Sequence, residues 1–383
     1  MGIFSGITII DKSAEISGNL CSMILADLGA QVIHVDTPQD GECGGISYKG
    51  VPIRELNLMR GKKRISLDPG SPRHLEILKG LAREADLFIE DGMPGEAADA
   101  GIGYEDLRAL NPQICYISVT NFGQTGPERM TPASDLTLQA FSGLLGITGE
   151  PDRLPVRAGI PVTAQYTGLY AAVGAIAMLY HKQKTGEGQY LDLAAADCML
   201  TILENAAVNY MASGKIQNRI ANRHSVNVPF QEFHTKDGND ILITINRDNT
   251  YAALCRVLGC EELIEDARYK TGELRRQNRE ACTKEVIDRV LDWNVDDLEK
   301  ALVEAGIPCA TINTIDKVAD GENAKARHMI VEGENDMAGT FRMPNTPLKF
   351  SAVPVQVSPR VSLRGQDSQM VLSAFGLSET NDN

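Results

Sequence analysis

A regular alternation of short apolar strands and amphipathic helices runs through the first 120 residues and limits the fold more than any other feature of the chain. It begins with the apolar run "ITIID", continues with "SGNLCSMILADLG", whose apolar residues recur at helical spacing up to Gly29, and returns to the β-branched "QVIHV". A helix near Arg73 to Ala85, the strand "LFIED", a helix near Tyr104 to Leu110 and the strand "ICYISVT" follow. Strands that alternate with helices pair in parallel through right-handed crossovers. The sequence therefore predicts an α/β fold with a Rossmann-like sheet, although no GxGxxG follows the first strand.

The rest of the chain predicts a smaller domain inserted into this α/β domain, because 383 residues exceed the length at which a single core stops growing. Helices are expected over 134–145, 162–184 and "AAADCMLTILENAAVNYMASG", with the strand "GQYLDL" before the last of them. Beyond Ser213 the pattern predicts a β-hairpin around Asp237-Gly238, helices near 249–258, 283–293 and 295–305, and the strand "PCATINT". Short strands and Pro-containing turns follow His328. We expect a large domain over 1–223, a small domain over 224–315, and a return to the large domain through 316–383.

The charge and the apolar runs exclude several classes of partner. The formal net charge is −14 and the pI is near 5.0, whereas nucleic-acid binding requires a dense basic surface. The longest apolar run, Tyr166 to Tyr180, is shorter than the roughly 20 residues that cross a bilayer. The eight cysteines form no CxxC pair and the six histidines are scattered, so free thiols and no metal site are expected. We therefore expect a soluble, cytoplasmic protein that acts on a small molecule, with neither nucleic acid nor membrane as a partner.

A set of motifs gives the chain its family resemblance. In order along the chain they are "LADLGAQVIHVD", "RGKKRISLD", "SVTNFGQTGP", "QAFSGLLGITGEP", "KTGEGQYLDL", "NRHSVNVPFQEFHTKDG", "AGIPCATINT" and "MPNTPLKFSAVP". In their order and spacing they resemble the family III coenzyme A transferases, which include formyl-CoA and carnitine-CoA transferases and to which α-methylacyl-CoA racemase is related. The resemblance implies an interlocked homodimer, an acyl-CoA and a carboxylic acid as substrates, and an active site between two lobes.

The resemblance also implies a nucleophile that this chain lacks. In the family an aspartate attacks the acyl-CoA thioester and forms a mixed anhydride, which divides one difficult exchange into easier steps. That aspartate lies four residues before the Gly of "TGL", a position held here by Ala164. If the alignment slips by one residue the position falls on Gln165, whose neutral amide cannot form an anhydride either.

Three explanations of Ala164 remain open from the sequence. The chain is an Asp-to-Ala variant of an ordinary CoA-transferase, a diverged enzyme that acts on a carboxylate or carrier-bound acyl group without an aspartyl anhydride, or a non-catalytic ligand-binding or partner subunit. For the diverged enzyme, the groups to test are Gln165, Arg157 and His224. Arg157 is a candidate ligand for a substrate carboxylate or a partner of Asp152 or Glu150, and His224 is a candidate acid or base or a core or hinge histidine.

The resemblance places a CoA-binding segment at "RGKKRISL". The predicted contacts are Arg60, Lys62, Lys63, Arg64 and Leu67, because Arg and Lys side chains bind phosphate groups. The alternative is a solvated basic turn. Family members often have basic or aromatic residues along the CoA channel, at positions held here by Thr37, Asp91, Gly92 and Asp99. We expect these differences to weaken the binding of CoA.

Other acidic residues were weighed as stand-ins for the missing aspartate. Asp135, Asp192 and Asp197 all lie near predicted helix starts or strand ends. For each of them the sequence favours helix capping or hydrogen bonding at the end of the sheet over catalysis. Cys198 has no basic neighbour in sequence and is expected to be a buried apolar side chain.

Overall fold

The computed structural model describes residues 2–37, 45–355 and 357–378. They form two compact units. Unit 1 comprises Met1–Leu144, Arg157–Ile216 and Glu322–Asn383, and unit 2 comprises Leu145–Val156 and Gln217–Gly321. Unit 2 includes the range 224–315 that was predicted as the small domain, and extends beyond it on both sides.

Unit 1 contains most of the helices and strands before residue 216. In chain order they are β1 (Thr8–Lys12), α1 (Ile16–Asp27), β2 (Gln31–Asp36), β3 (Ser47–Tyr48), β4 (Val51–Pro52), α2 (Ile53–Leu58), β5 (Lys62–Ser66), α3 (Pro72–Arg83), β6 (Leu87–Glu90), α4 (Glu96–Asp99), α5 (Tyr104–Leu110), β7 (Cys115–Thr120), α6 (Asp135–Phe141), α7 (Leu144–Ile147), α8 (Val162–Thr185), β8 (Tyr190–Ala194), α9 (Ala195–Ile202) and α10 (Glu204–Ser213). The short helix α7 lies where the chain first passes from unit 1 to unit 2.

The second half of the chain forms unit 2 and then returns to unit 1. Unit 2 contains β9 (Phe230–His234), β10 (Asp240–Thr244), α11 (Asp248–Val257), a 3₁₀ turn (Glu261–Leu263), α12 (Gly272–Gln277), α13 (Arg279–Val290), α14 (Val295–Glu304), β11 (Cys309–Thr311) and α15 (Ile315–Ala319). The return contains α16 (Glu322–Ala326), β12 (Ile330–Asn335), β13 (Gly339–Pro344) and α17 (Ser368–Ala374).

The central sheet of unit 1 is parallel and has six strands in the order β5-β2-β1-β6-β7-β8. One face packs against α1 and α8 through residues such as Ile9, Leu25 and Ala175. The other face packs against α3, α5 and α17 through residues such as Ile77 and Leu107. Because both faces are covered, most side chains of β1, β2, β6 and β7 are buried, as is usual for parallel sheets. The order of the strands reverses between β1 and β6, and the crevice at such a switch point is the usual ligand site of this architecture.

Unit 2 has its own apolar core. Its three-stranded antiparallel sheet has the order β11-β10-β9. The core includes Ile241 and Ile243 of β10, with Leu254, Val286 and Leu298 from the surrounding helices. The hairpin predicted around Asp237-Gly238 is confirmed, because β9 and β10 pair antiparallel and His234 lies opposite Asp240 at the turn.

The structure corrects the sequence prediction in two places. The single helix expected after "GQYLDL" is two helices, since Glu204, the first residue of α10, adopts a left-handed φ of 36°. The segment after His328 includes the helix α17 as well as strands. Helix α8 confirms the helix predicted over 162–184, and at 24 residues it is long and apolar enough to cross a membrane by length and composition. Of its most apolar window, 44% is buried inside the protein.

Candidate active site

A cleft of about 630 Å³ lies at the carboxyl ends of the parallel strands of unit 1. Residues that follow β1, β2, β5, β6 and β7 line it, so it lies at the β1–β6 switch point. Its apolar wall includes Val35, Leu67, Leu75, Leu78 and Ile102. A concave, mostly apolar lining with a few polar groups is the usual form of a small-molecule site. Leu67, predicted as a ligand contact, is part of this wall.

Acidic side chains dominate the polar lining of the cleft. Among the residues that the structure describes, the carboxylates are those of Glu15, Asp68, Glu90, Asp91 and Glu96, whereas Lys12 and His74 are the basic residues that line it. Three of the four positions where the resemblance indicated a change, Thr37, Asp91 and Gly92, lie in this lining. The cleft therefore has an excess of negative charge, which opposes a polyanionic ligand.

Asp91 links the cleft to the start of α1. Its carboxylate accepts the backbone N–H groups of Ala14 at 2.9 Å and Glu15 at 2.7 Å. Burial in the floor of the cleft raises the pKa of Asp91 to about 7, with the negative charges of Asp11 and Glu15 adding to the effect of burial and exceeding that of the two hydrogen bonds. Close to neutral pH the charge of the cleft therefore depends on whether Asp91 is protonated.

The basic segment predicted to bind CoA phosphates has a different role in the structure. Lys62 and Arg64 lie on the buried face of β5, because alternate residues of a strand point to the same face. Lys62 Nζ binds Asp11 Oδ2 at 2.9 Å, and Arg64 binds Asp36 and Glu55. Arg60 donates to Asp27 at 2.6 and 3.1 Å.

These three side chains are therefore internal, and their contact with CoA stays a prediction. Arg60, Lys62 and Arg64 are all at most 3% exposed, and their charges are matched by carboxylates of unit 1. Lys63 points the other way and is half-buried; it lines a separate surface depression with Ser5 and Gly29. The alternation of side chains along β5 decides which of these basic residues is buried, and a run of charges in the sequence does not reveal it.

The buried charges set the protonation of their neighbours. Burial alone would raise the pKa of Asp11, but the charges of Lys62 and His34 more than offset burial and hold that pKa well below its usual range. Burial would lower the pKa of His34, yet Asp11 and Asp36, which flank its two ring nitrogens, raise it. The cluster therefore holds its carboxylates ionised, and His34 is protonated more readily than a free histidine.

Ala164, the position of the family nucleophile, lies in the first turn of α8 and is partly exposed. Its carbonyl oxygen accepts the hydroxyl of Ser17 at 3.1 Å, and its N–H donates to Asp135 Oδ1 at 3.0 Å. Ser17 lines a cavity of about 80 Å³ that shares Glu15, Asp91, Gly92, Met93 and Asn121 with the larger cleft. The hydrogen bond from Ser17 to Ala164 thus connects the first turn of α8 with the small cavity beside the cleft.

Gly168 permits this close approach of α8 to α1. A Cβ atom at this position would lie 2.8 Å from the carbonyl oxygen of Ser17 and 2.9 Å from Leu20, which is too close for any side chain. The glycine therefore fixes the distance at which Ser17 can reach the backbone of Ala164.

The remaining predicted site residues are spread over both units. Gln165 is partly exposed beside Ala164, and Arg157 is exposed in the segment that leads into α8. His224 belongs to unit 2, where its Nδ1 accepts the N–H groups of Val226 and Asn227 at 3.1 Å. The grouping of Gln165, Arg157 and His224 as a site remains a prediction.

The sequence prediction missed several residues of the cleft. Glu15, Glu90, His74 and Asn121 gave no signal of their own, because each follows or precedes an element as an ordinary polar residue. The rule that ligands bind at the carboxyl ends of parallel strands would have located Glu90 and Asn121. Cys198 is buried, as predicted, and burial raises its pKa to about 11.

Comparison with known proteins gives one consistent result. Residues 4–368 match the family model described as CoA-transferase family III. The chain is 31% identical to the succinate–glutarate CoA-transferase of Agrobacterium fabrum, over 96% of this chain and 94% of that protein. It is 32% identical to the human succinyl-CoA:glutarate CoA-transferase, over 96% of this chain and 84% of that one.

A solved structure agrees with this result. The CAIB/BAIF family protein from Brucella suis superposes with a TM-score of 0.89 at 32% identity, covering 98% of this chain and 100% of that one. A match over nearly the whole length, to sequences and to a structure alike, includes both the cleft and the first turn of α8. This chain is a member of the family III CoA-transferases.

Proposed function

We propose that this protein transfers CoA between an acyl-CoA and a small carboxylic acid, and that dicarboxylic acids are its substrates. The named relatives act on succinate, glutarate and succinyl-CoA, which supports the choice of dicarboxylates. The observation that carries the proposal is the path from the switch-point cleft through the small cavity to Ser17 and the first turn of α8. A ligand that lies along this path has one end in the cleft and the other beside Ala164.

The lining of the cleft suits the adenosine end of CoA better than its phosphates. The apolar wall formed by Leu67, Leu75 and Leu78 provides a surface for an aromatic ring. Carboxylates such as Glu90 accept hydrogen bonds from amino and hydroxyl groups. Lys12 and His74 are the basic residues of the lining available to the phosphates, so we expect modest affinity.

We assign a second copy of the chain as partner, in the cytoplasm. A stripe on α8 formed by Leu169, Val173, Ile176 and Tyr180 is 40–64% exposed. These residues recur every three or four positions, the spacing of a helix face that packs against a partner. Sedimentation velocity should report a dimer, and Val173→Asp should shift it to monomers. A wild-type monomer at micromolar concentration would contradict the assignment.

Calorimetric titration with CoA and acetyl-CoA is the first test. We expect micromolar affinity, which corresponds to about −8 kcal/mol. Ala100→Trp, which places a large side chain in the cleft lining, should abolish binding, whereas Ala374→Trp at the end of α17 serves as the matched control. No detectable heat with millimolar CoA would contradict the proposal.

Transfer itself is tested with succinyl-CoA or acetyl-CoA as donor and glutarate, citramalate, mesaconate or oxalate as acceptor, with products identified by mass spectrometry. Formation of the acceptor's CoA thioester supports the proposal. The second candidate, a non-catalytic CoA-binding subunit, is favoured by Ala164 itself. It predicts CoA binding without transfer, and transfer that appears only in Ala164→Asp. Turnover of a substrate without CoA, lost in Gln165→Ala, would indicate the diverged enzyme.

A further inference from the structure

The carboxylate that binds the backbone of Ala164 belongs to Asp135. Its Oδ1 accepts the N–H of Ala164 at 3.0 Å, and Asp135 is partly exposed. It lies 29 residues away in sequence, at the first position of α6. A carboxylate is thus held against the residue that occupies the place of the family nucleophile. We propose that Asp135 is the nucleophile of this protein and takes the place of the absent aspartate; the inference rests on the proposed function.

The structure holds the Asp135 side chain in a fixed orientation. Its Oδ2 accepts the amide of Gln139 at 2.6 Å, and Gln139 is only 1% exposed. The side-chain oxygen Oε1 of Gln139 accepts the N–H of Ala158 at 3.3 Å, which sets the orientation of the amide group. Thr163 also donates its hydroxyl to the Asp135 backbone at 3.2 Å. These contacts tie α6 to the first turn of α8, so both carboxylate oxygens have defined directions.

The carboxylate remains chemically available in this arrangement. An ionised carboxylate has about four acceptor positions, and the contacts with Ala164 and Gln139 use one on each oxygen. It accepts the N–H of Ala164 in the first turn of the 24-residue helix α8, at the positive end of that helix dipole, which stabilises negative charge. The same field stabilises the tetrahedral oxyanion that forms when the carboxylate attacks. Because stabilised carboxylates are weaker nucleophiles, we expect slower transfer than an aspartate at position 164 would give.

The reaction balances without any other reactant. An oxygen of Asp135 attacks the thioester carbonyl, the C–O bond of a mixed anhydride forms, and the C–S bond breaks to release the CoA thiolate. The thiolate attacks the aspartyl carbonyl, which gives an aspartyl-CoA thioester and frees the donor acid. The carboxylate of the acceptor attacks that thioester, forms a second mixed anhydride with Asp135 and releases the thiolate. The thiolate then attacks the acceptor carbonyl of this anhydride, which gives the acceptor's CoA thioester and returns Asp135 to its carboxylate form with no net proton or electron change.

Other carboxylates near the site are engaged differently. Asp192 accepts the N–H of Gln124 with both oxygens, at 3.0 and 3.1 Å, and is exposed at the end of β8. Asp91 accepts two N–H groups of the segment before α1, and its raised pKa of about 7 leaves much of it protonated at neutral pH. A protonated acid does not attack a thioester. Asp135 is therefore the acid with the better position, because its carboxylate binds Ala164 directly.

The test traps the covalent intermediate in the wild-type protein. The purified protein is incubated with succinyl-CoA, treated with hydroxylamine and digested, and the modified residue is located by mass spectrometry. We expect a hydroxamate on Asp135. A hydroxamate on Asp91 or on any other residue, or none although transfer proceeds, would overturn the inference while the transferase function stands.

Variants provide the second measurement. Asp135→Asn keeps an acceptor for the Ala164 N–H and should lower transfer at least a thousandfold, with CoA affinity unchanged. Asp192→Asn, a matched exposed carboxylate that also binds a backbone N–H, should keep full activity. The double variant Asp135→Asn, Ala164→Asp should regain transfer, which shows that the loss is not one of folding. Activity that survives Asp135→Asn refutes the inference; absence of transfer in the wild type refutes the proposed function and the inference with it.

Discussion

Two charged regions of unit 1 differ in how their charges are compensated. In the buried cluster around β5, Arg60, Lys62 and Arg64 are each matched by carboxylates at hydrogen-bond distance. In the switch-point cleft, five carboxylates face Lys12 and His74. The basic side chains that the sequence indicated for a ligand thus stabilise the interior, whereas the cleft has an excess of acid.

The difference shows that a run of basic residues has no fixed role. Within β5, the alternation of the strand sends Lys62 and Arg64 to a buried face where Asp11 and Asp36 require partners. A buried carboxylate without such a partner would be costly. The carboxylates of the cleft lack such a set of cationic partners, and burial raises the pKa of Glu90 and Asp91 instead. Removal of one charge should therefore affect stability in the first region and ligand binding in the second.

The largest effect is expected for Lys62→Met. This change leaves the carboxylate of Asp11 buried without its Lys62 partner, and should lower the free energy of unfolding by about 3–5 kcal/mol. Urea denaturation measures it. The neighbouring Lys63→Met, on the opposite face of β5, should change stability by less than about 0.5 kcal/mol. Equal stability of the two variants would show that the cluster is not a stabilising element.

A smaller loss is expected for Arg64→Lys. The guanidinium of Arg64 binds Asp36 and Glu55 together, and an ammonium group cannot reproduce that fork. We expect a loss of about 2 kcal/mol in the free energy of unfolding. The control is Arg108→Lys, whose exposed pair with Glu105 is 3.7 Å long and should contribute almost nothing. An unchanged unfolding midpoint in Arg64→Lys would contradict the role given to the fork.

In the cleft, Glu15→Gln should strengthen CoA binding. The substitution removes an exposed negative charge at the start of α1, where it opposes the phosphates of the ligand. We expect the dissociation constant to fall about three- to tenfold, or roughly 1 kcal/mol. Calorimetry compares it with Glu76→Gln, an exposed glutamate of α3 outside the lining. Weaker binding in Glu15→Gln would mean that the carboxylate contacts the ligand directly.

The smallest effect concerns pH and Asp91. Because its pKa is raised to about 7, Asp91 takes up a proton as pH falls from 8 to 6, and CoA affinity should rise a few-fold. For folding, a carboxyl with a raised pKa binds its proton more tightly in the folded state. Its contribution is therefore fully present below pH 3.8, the usual pKa of an aspartate, and is lost as pH rises from there through about 7. The CoA affinity of Asp91→Asn, measured over the same pH range, gives the pH dependence that comes from other groups, including the CoA phosphates. If CoA affinity changed with pH equally in both proteins, Asp91 would be excluded as the cause.

Much of the fold followed from local patterns. The alternation of strands and helices predicted the parallel sheet, and "HTKDGND" predicted the hairpin of unit 2. The break between α9 and α10 was missed because neither glycine nor proline marks Leu203 or Glu204. Of the candidate site, Leu67 and the changed positions Thr37, Asp91 and Gly92 lie in the cleft, whereas Arg60, Lys62 and Arg64 do not. The first group directly follows strand ends, whose position in a parallel sheet is set by topology.

The sequence alone determined the order of elements, the family and the presence of Ala164 where a nucleophile is expected, because these depend on residues close together in the chain or on whole-length similarity. Only the tertiary structure decided that the basic segment faces inward and that the cleft is acidic. It also decided that Asp135 binds Ala164, a contact across 29 residues. These outcomes depend on strand register and on the packing of α8 against α1 and α6. They also depend on burial, which determines which charges must be paired.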